Sequence, residues 1–162
     1  MLVDAPPELR LQLIAAGVSA VDAVWFTHIH ADHVHGIDDL RVFTARRGDV
    51  DAYIASEYRE KIARYFEYIF DEAVQAAPGS SIPSVKLHEL EEGRPVGIVG
   101  ESFTPLLVPH GPTNVYGFRV GKLGYITDGK RLPPTTLEAL KGVDVLVLNA
   151  LWFGRPHPSH FN

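Results

Sequence analysis

Four metal-binding side chains fall within six residues of this sequence, His28-Ile29-His30-Ala31-Asp32-His33. Three imidazoles and a carboxylate in one short turn match borderline divalent cations: zinc first, with manganese and iron as the other choices. Helical spacing does not account for the cluster, and a purification tag would be terminal and would lack the interposed aspartate. The preceding Ala23-Val24-Trp25-Phe26-Thr27 is an apolar, β-favouring run, so the ligands are expected on a loop where a buried strand ends. Alternation along the departing chain would turn His28 and His30 to one side, with Asp32 and His33 coming from the turn beyond, one pair for each of two ions. Gly36 then suits a tight backbone path into a helix through Ile37, Asp38, Asp39, Leu40 and Arg41.

The same arrangement recurs twice. Leu106-Leu107-Val108 leads through Pro109 to His110 and Gly111, and Leu123-Gly124-Tyr125-Ile126-Thr127 leads to Asp128 and Gly129. Both would bring a ligand to a common edge of the sheets. Taken alone, His110 reads as a structural or surface histidine, and Asp128 as a turn former before glycine. Beside a four-ligand turn they read as ligands, and the two oxygens of Asp128 suit a group that bridges two ions.

These strand ends need a scaffold. Met1–Val3 is expected as a strand, followed by a helix that Pro6 and Pro7 open and Gly17 closes. Val50–Ile54 reads as another strand, and Ser56 as the cap of a helix carrying Tyr58, Ile62, Tyr65, Phe66 and Ile69. That aromatic face reads first as core, and second as a lid wall formed by Tyr65, Phe66 or Tyr68. After the turn-rich stretch Pro78–Ser84, strands are expected at Val85–Leu90, Pro95–Val99, Ser102–Val108, Val115–Val120 and Leu123–Thr127, punctuated by glycines. A helix from Pro134 to Lys141 and a buried strand from Val143 to Leu148 complete a mixed α/β (α+β) pattern.

With 162 residues, 46% of them hydrophobic, the chain suits one soluble domain, 1–162. A net charge of −5 without a basic stripe argues against long duplex nucleic acid as a partner, while bound metals would draw a small anionic substrate. The absence of cysteine leaves only nitrogen and oxygen ligands and no disulfides. The first residues lack the pattern of a signal peptide, and the longest apolar run, Val143–Phe153, is too short and too polar for a membrane span. The expected location is the cytoplasm.

The ordered series His28-Ile29-His30-Ala31-Asp32-His33, His110 and Asp128 resembles the ligand series of the metallo-β-lactamase superfamily, whose fold is an αββα sandwich. That resemblance implies that His28, His30 and His110 bind one ion, that Asp32 and His33 bind a second, and that Asp128 bridges. It also implies that Asp4 orients a ligand histidine; its other reading is a cap before Pro6 and Pro7. The wider context is similar to the cyclic-phosphate phosphodiesterases of phosphonate breakdown, through Gly36-Ile37-Asp38-Asp39-Leu40-Arg41, Val108–Pro112, Tyr125–Asp128 and Arg155-Pro156-His157-Pro158-Ser159-His160. In that group a tail histidine is the general acid, here His160 with His157 in reserve; the surrounding prolines read equally as a flexible terminus. The implied reaction opens a small cyclic phosphate of ribose or a nucleotide with a metal-bound hydroxide, Asp32 helping to hold the water and His160 protonating the leaving oxygen.

The chain departs from the family's pattern. Family members begin with strands upstream of the position of Met1 and continue past the position of Asn162 to a further histidine on the second ion, so an incomplete copy of the fold with a weaker second site is expected. Exposed edges would then favour a homodimer. Asn149 stands where relatives often carry aspartate. The competing readings are a thioester or lactone hydrolase of the glyoxalase II type, which shares the metal turn, and an inactive metal-binding fragment.

Overall fold

The computed structural model describes residues 1–151 and 153–162, with Arg47 described in its backbone alone. They divide into two compact units, Met1–Glu89 and Leu90–Asn162.

In the first unit β1 (Leu2–Val3), β2 (Ala23–Trp25), β3 (Val50–Ala55) and β4 (Val85–Leu90) are hydrogen-bonded in that order. The β1–β2 and β2–β3 pairs are parallel, with Val3 opposite Trp25 and Trp25 opposite Tyr53. Parallel strands are covered on both faces and read as continuous apolar runs, and Ala23, Val24 and Trp25 are all buried. The first crossover helix, α1 (Leu9–Ala15), starts later than its prolines suggest. Pro6 and Pro7 form a turn in which the Pro6 carbonyl accepts the Leu9 N–H at 2.9 Å, and Gly17 ends the helix at φ 64°.

Past β2 the chain forms α2 (Ala31–Val34), a 3-10 turn (Ile37–Leu40) and α3 (Arg41–Arg47) in place of the single helix expected after Gly36. Gly36 is required by space. Its N–H donates to the Ala5 carbonyl at 2.8 Å, and a Cβ there would stand 2.1 Å from the Pro6 carbonyl oxygen and 2.9 Å from Leu9 Cβ. Gly36→Ala is therefore expected to lower the free energy of unfolding by about 1–3 kcal/mol, read from urea denaturation; an unchanged midpoint would show that the turn relaxes freely.

Helix α4 (Ser56–Tyr65) begins at Ser56, with Ala55 in the capping position and no side-chain cap bond, so Ser56 is not the cap its residue type suggested. Tyr58 and Ile62 are buried, and Phe66, at φ −123° and ψ 46°, breaks the helix before α5 (Glu67–Phe70). Tyr65 is exposed and leaves the packed face. The Tyr68 hydroxyl donates to Asp38 Oδ1 at 3.1 Å, joining α5 to the 3-10 turn that follows the histidine cluster. Burial, then the charge of Asp38, pushes the Tyr68 phenol up to about 12.

The second unit holds a five-stranded sheet of β5 (Val96–Ile98), β6 (Glu101–His110), β7 (Thr113–Val120), β8 (Leu123–Ile126) and β9 (Val145–Leu148), in that order. The first three pairings are antiparallel, and β9 is parallel to β8 after a crossover through α6 (Pro134–Ala139), which has proline in its first turn. Leu106, Val108, Ile126 and Leu140 form a core against which Phe161 packs. β9 was expected to be buried, yet its four residues are 39–55% exposed. It closes the strand order with β8 as its neighbour, and an apolar run identifies a strand without identifying the layer that covers it. Two sheets with short helices place the chain in the mixed α/β class. Among the described residues no helix is long and apolar enough to cross a membrane.

Candidate metal centre

Parallel pairing of β1 with β2 puts the exits of the two strands side by side. The Asp4 N–H donates to the Trp25 carbonyl at 2.8 Å, and the Asp4 carboxylate accepts the Thr27 N–H at 2.7 Å. The Thr27 hydroxyl lies 2.9 Å from Asp4 Oδ2 and gives it its proton, which leaves the Thr27 oxygen to accept from His28 Nδ1 at 3.0 Å. Asp4 Oδ2 also accepts from His33 Nδ1 at 2.7 Å. With Nδ1 protonated in both rings, a metal ion at this cluster would be held through the Nε2 atoms of His28 and His33. Burial pushes the Asp4 carboxyl above the ordinary carboxylate range, against the lowering effect of His33 and Thr27.

His28 Nε2 lies 2.9 Å from His30 Nδ1, with the rings at 77°. Two nitrogens on one tetrahedral zinc stand roughly 3.3 Å apart, so this pair fits one small cation with little movement. β2 ends at Trp25, so the loop, and not the pleat of a strand, brings the two rings together. Asp32 and His33 lie in α2, with His30 in its capping position, where an irregular turn was expected. Asp32 is largely exposed, its Oδ2 3.5 Å from His33 Nε2. The His28 and His33 ring centroids are 4.1 Å apart.

The second unit carries its own cluster. His110 is the last residue of β6, paired with Thr113, and not in the turn beyond. It is buried, its Nδ1 donates to the Ser159 carbonyl at 2.9 Å, and its Nε2 lies 3.8 Å from Asp128 Oδ2. Asn149 donates to the other oxygen, Oδ1, at 3.1 Å. Asp128 thus turns one oxygen to the imidazoles, a narrower presentation than two open oxygens would give. His160 Nε2 lies 3.5 Å from that same Oδ2, and ligand atoms of His110, Asp128 and His160 all fall within 4.8 Å of one another. The tail bearing His160 is tied down: Lys130 Nζ donates to the His160 carbonyl at 3.3 Å, and the Leu151 N–H to that of Phe161 at 2.9 Å.

Each cluster therefore presents imidazole nitrogens and carboxylate oxygens in the donor set of a borderline divalent ion, with the histidines turned by acceptors on their Nδ1 atoms. Three of the orienting groups carry no signal in a search for ligands. Thr27 follows from the register that sets Val3 against Trp25, Asn149 is a neutral amide, and Ser159 acts through its backbone.

All of residues 1–162 match the beta-lactamase superfamily domain. The crystal structure of a diphosphatase from the PhnP family is similar over 98% of this chain and 59% of that one, at 32% identity and a TM-score of 0.83. The metallo-beta-lactamase fold protein YhfI from Bacillus subtilis matches over 99% of this chain and 64% of its own at 16% identity and a TM-score of 0.76, a likeness of fold. Among curated proteins, an octanoyltransferase of Porphyromonas gingivalis is 32% identical over 160 residues, 99% of this chain. The chain spans 32% of the length of that relative. With its whole length matched to that domain, the chain belongs to the beta-lactamase superfamily.

Proposed function

We propose that this chain carries a metal-dependent phosphodiesterase site that opens a small cyclic phosphate of ribose or a nucleotide. The observation that carries the reading is the orientation of the imidazoles: Asp4, Thr27 and the Ser159 carbonyl each take an Nδ1 proton and leave an Nε2 lone pair to ligate. The similarity to a PhnP-family diphosphatase supports a phosphorus centre. Carried over from the family, His28, His30, Asp32, His33, His110 and Asp128 would be the residues that hold two divalent ions, zinc or manganese. Such ions supply Lewis acidity and bring a coordinated water toward a pKa of ~7.

The chain's own residues do the rest. Asp32 and Asp128, acceptors only when ionised, hold the attacking water's hydrogens. The water gives up one proton to solvent as its oxygen bonds to phosphorus, and the ester P–O bond breaks with its electron pair passing to the leaving oxygen. That alkoxide takes the Nε2 proton of the His160 imidazolium, giving a phosphomonoester with a free hydroxyl. The proton released by the water returns through solvent to His160 Nε2.

The test is a parallel assay of the metal-loaded protein on a ribose cyclic phosphate, a nucleoside cyclic phosphate and a glutathione thioester. Turnover of a cyclic phosphate that stops on chelation is expected. Turnover of the thioester alone would replace the reading with acyl hydrolysis, and a metal-dependent rise in melting temperature without turnover of any ester would leave a binding module.

A further inference from the structure

We infer that His157 is a positioning residue that fixes His160 in its Nδ1–H tautomer and so makes Nε2 the nitrogen that handles the proton. The kinetic part of this inference rests on the phosphodiesterase reading; the tautomer does not.

The argument is an accounting of protons in His157-Pro158-Ser159-His160. His157 Nδ1 lies 3.3 Å from the backbone nitrogen of Ser159 and 3.2 Å from that of His160, both within hydrogen-bond geometry. Backbone amides only donate, so His157 Nδ1 is an acceptor and carries no proton. His160 Nδ1 lies 3.0 Å from the same atom, with the rings at 65°. Two lone pairs facing at that distance would repel, so the proton of the contact belongs to His160 Nδ1. Neutral His160 is then bare at Nε2, the atom 3.5 Å from Asp128 Oδ2, and any further proton it takes must sit there.

Other groups favour this arrangement. The Ser159 hydroxyl lies 3.3 Å from His157 Nδ1 and 3.1 Å from His160 Nδ1, and is compatible with the arrangement because it can donate to the first while accepting from the second. Pro158 has a fixed φ and no N–H, which suits a turn whose next two amides point back at the first histidine. Partial burial, followed by the positive character of His160, Lys130 and His110, holds His157 below the usual histidine range and so keeps its lone pair available. The device matches the one at His110, His33 and His28, except that here the acceptor is a second imidazole. A mispointed His160 would offer an Nε2 proton in its neutral form and no site there for the next one.

His157→Phe keeps a ring without an acceptor, and His157→Asn restores an acceptor near the position of Nδ1. Nitrogen NMR of ring-labelled protein is expected to show His160 protonated at Nδ1 in the wild type and in His157→Asn, and shifted toward the Nε2–H form in His157→Phe. On a cyclic phosphate with an alkoxide leaving group, His157→Phe should lose ~10-fold or more in kcat, with little loss on a nitrophenyl phosphodiester, whose leaving group needs no proton; His157→Asn should recover most of the difference. An Nε2–H tautomer in the wild type, or an unchanged tautomer in His157→Phe, would overturn the inference. So would equal losses in both variants on both substrates, which mark a packing role. If the wild type turned over no phosphate ester, the proposed function would fail while NMR still decided the tautomer.

Discussion

Asp32→Ala is expected to cost ~100-fold or more in kcat/KM on a cyclic phosphate, while the free energy of unfolding moves by about 0.5 kcal/mol or less. The Asp32 side chain is 78% exposed, with Oδ2 3.5 Å from His33 Nε2. Little packing is lost with it, and its position in the first turn of a four-residue helix contributes a few tenths of a kcal/mol at most. What disappears, on the proposed function, is an anionic oxygen ligand beside a ligand imidazole, and such a removal would change both the affinity for an ion and the charge on the water it activates. Asp32→Asn keeps one oxygen of similar reach and removes the charge, so it should fall between wild type and alanine. Activity would be measured at saturating zinc and at saturating manganese, with bound metal counted by emission spectroscopy and stability by urea titration. Activity within a few-fold of wild type at saturating metal would remove Asp32 from the site.

The candidate ligands His28, His110 and Asp128 were legible because each is a polar residue where an apolar run stops. β2, β6 and β8 all end within three residues of one of these side chains, as their sequences imply. Pro109 obscured the end of β6, since proline reads as a breaker; it and Pro105 both stand inside the strand, opposite Asn114 and Phe118. A proline interrupts a ladder only where its missing N–H is needed. Less visible were the groups that aim the ligands. The Ser159 carbonyl belongs to no residue type, and Asn149 drew notice for the charge it lacks, whereas its amide holds Asp128 Oδ1. Burial was misread at Val145–Leu148 for a different reason. Periodicity reports which side chains share a face, but coverage of that face depends on a layer that the local sequence does not encode.

Asp4→Ala is expected to cost about 3 kcal/mol of stability and ~10–100-fold in metal affinity, because one carboxylate serves both folding and the site. Alanine would leave two buried donors, the Thr27 N–H and hydroxyl, and the partly buried His33 Nδ1 without their acceptor. It would also have to hold φ 61°, the left-handed region that aspartate and asparagine tolerate better than other side chains. Against these losses stands the relief of no longer burying a charge, the cause of the raised Asp4 pKa. Asp4→Asn separates the two roles. Its carbonyl oxygen still accepts from Thr27 and its backbone suits the same φ, so most of the stability should remain, but its NH2 would face the His33 Nδ1 proton and drive that ring out of its ligating tautomer. The pH dependence of the metal-free protein has a definite sign. A folded pKa above the unfolded 3.8 means that the native state binds the proton more tightly, so this contribution is complete below 3.8 and is lost as pH rises through the folded value. Asp4→Asn should lack that slope. Full zinc affinity in Asp4→Asn would leave Asp4 a residue of folding alone, whereas stability retained with affinity lost would identify it as the group that aims His33.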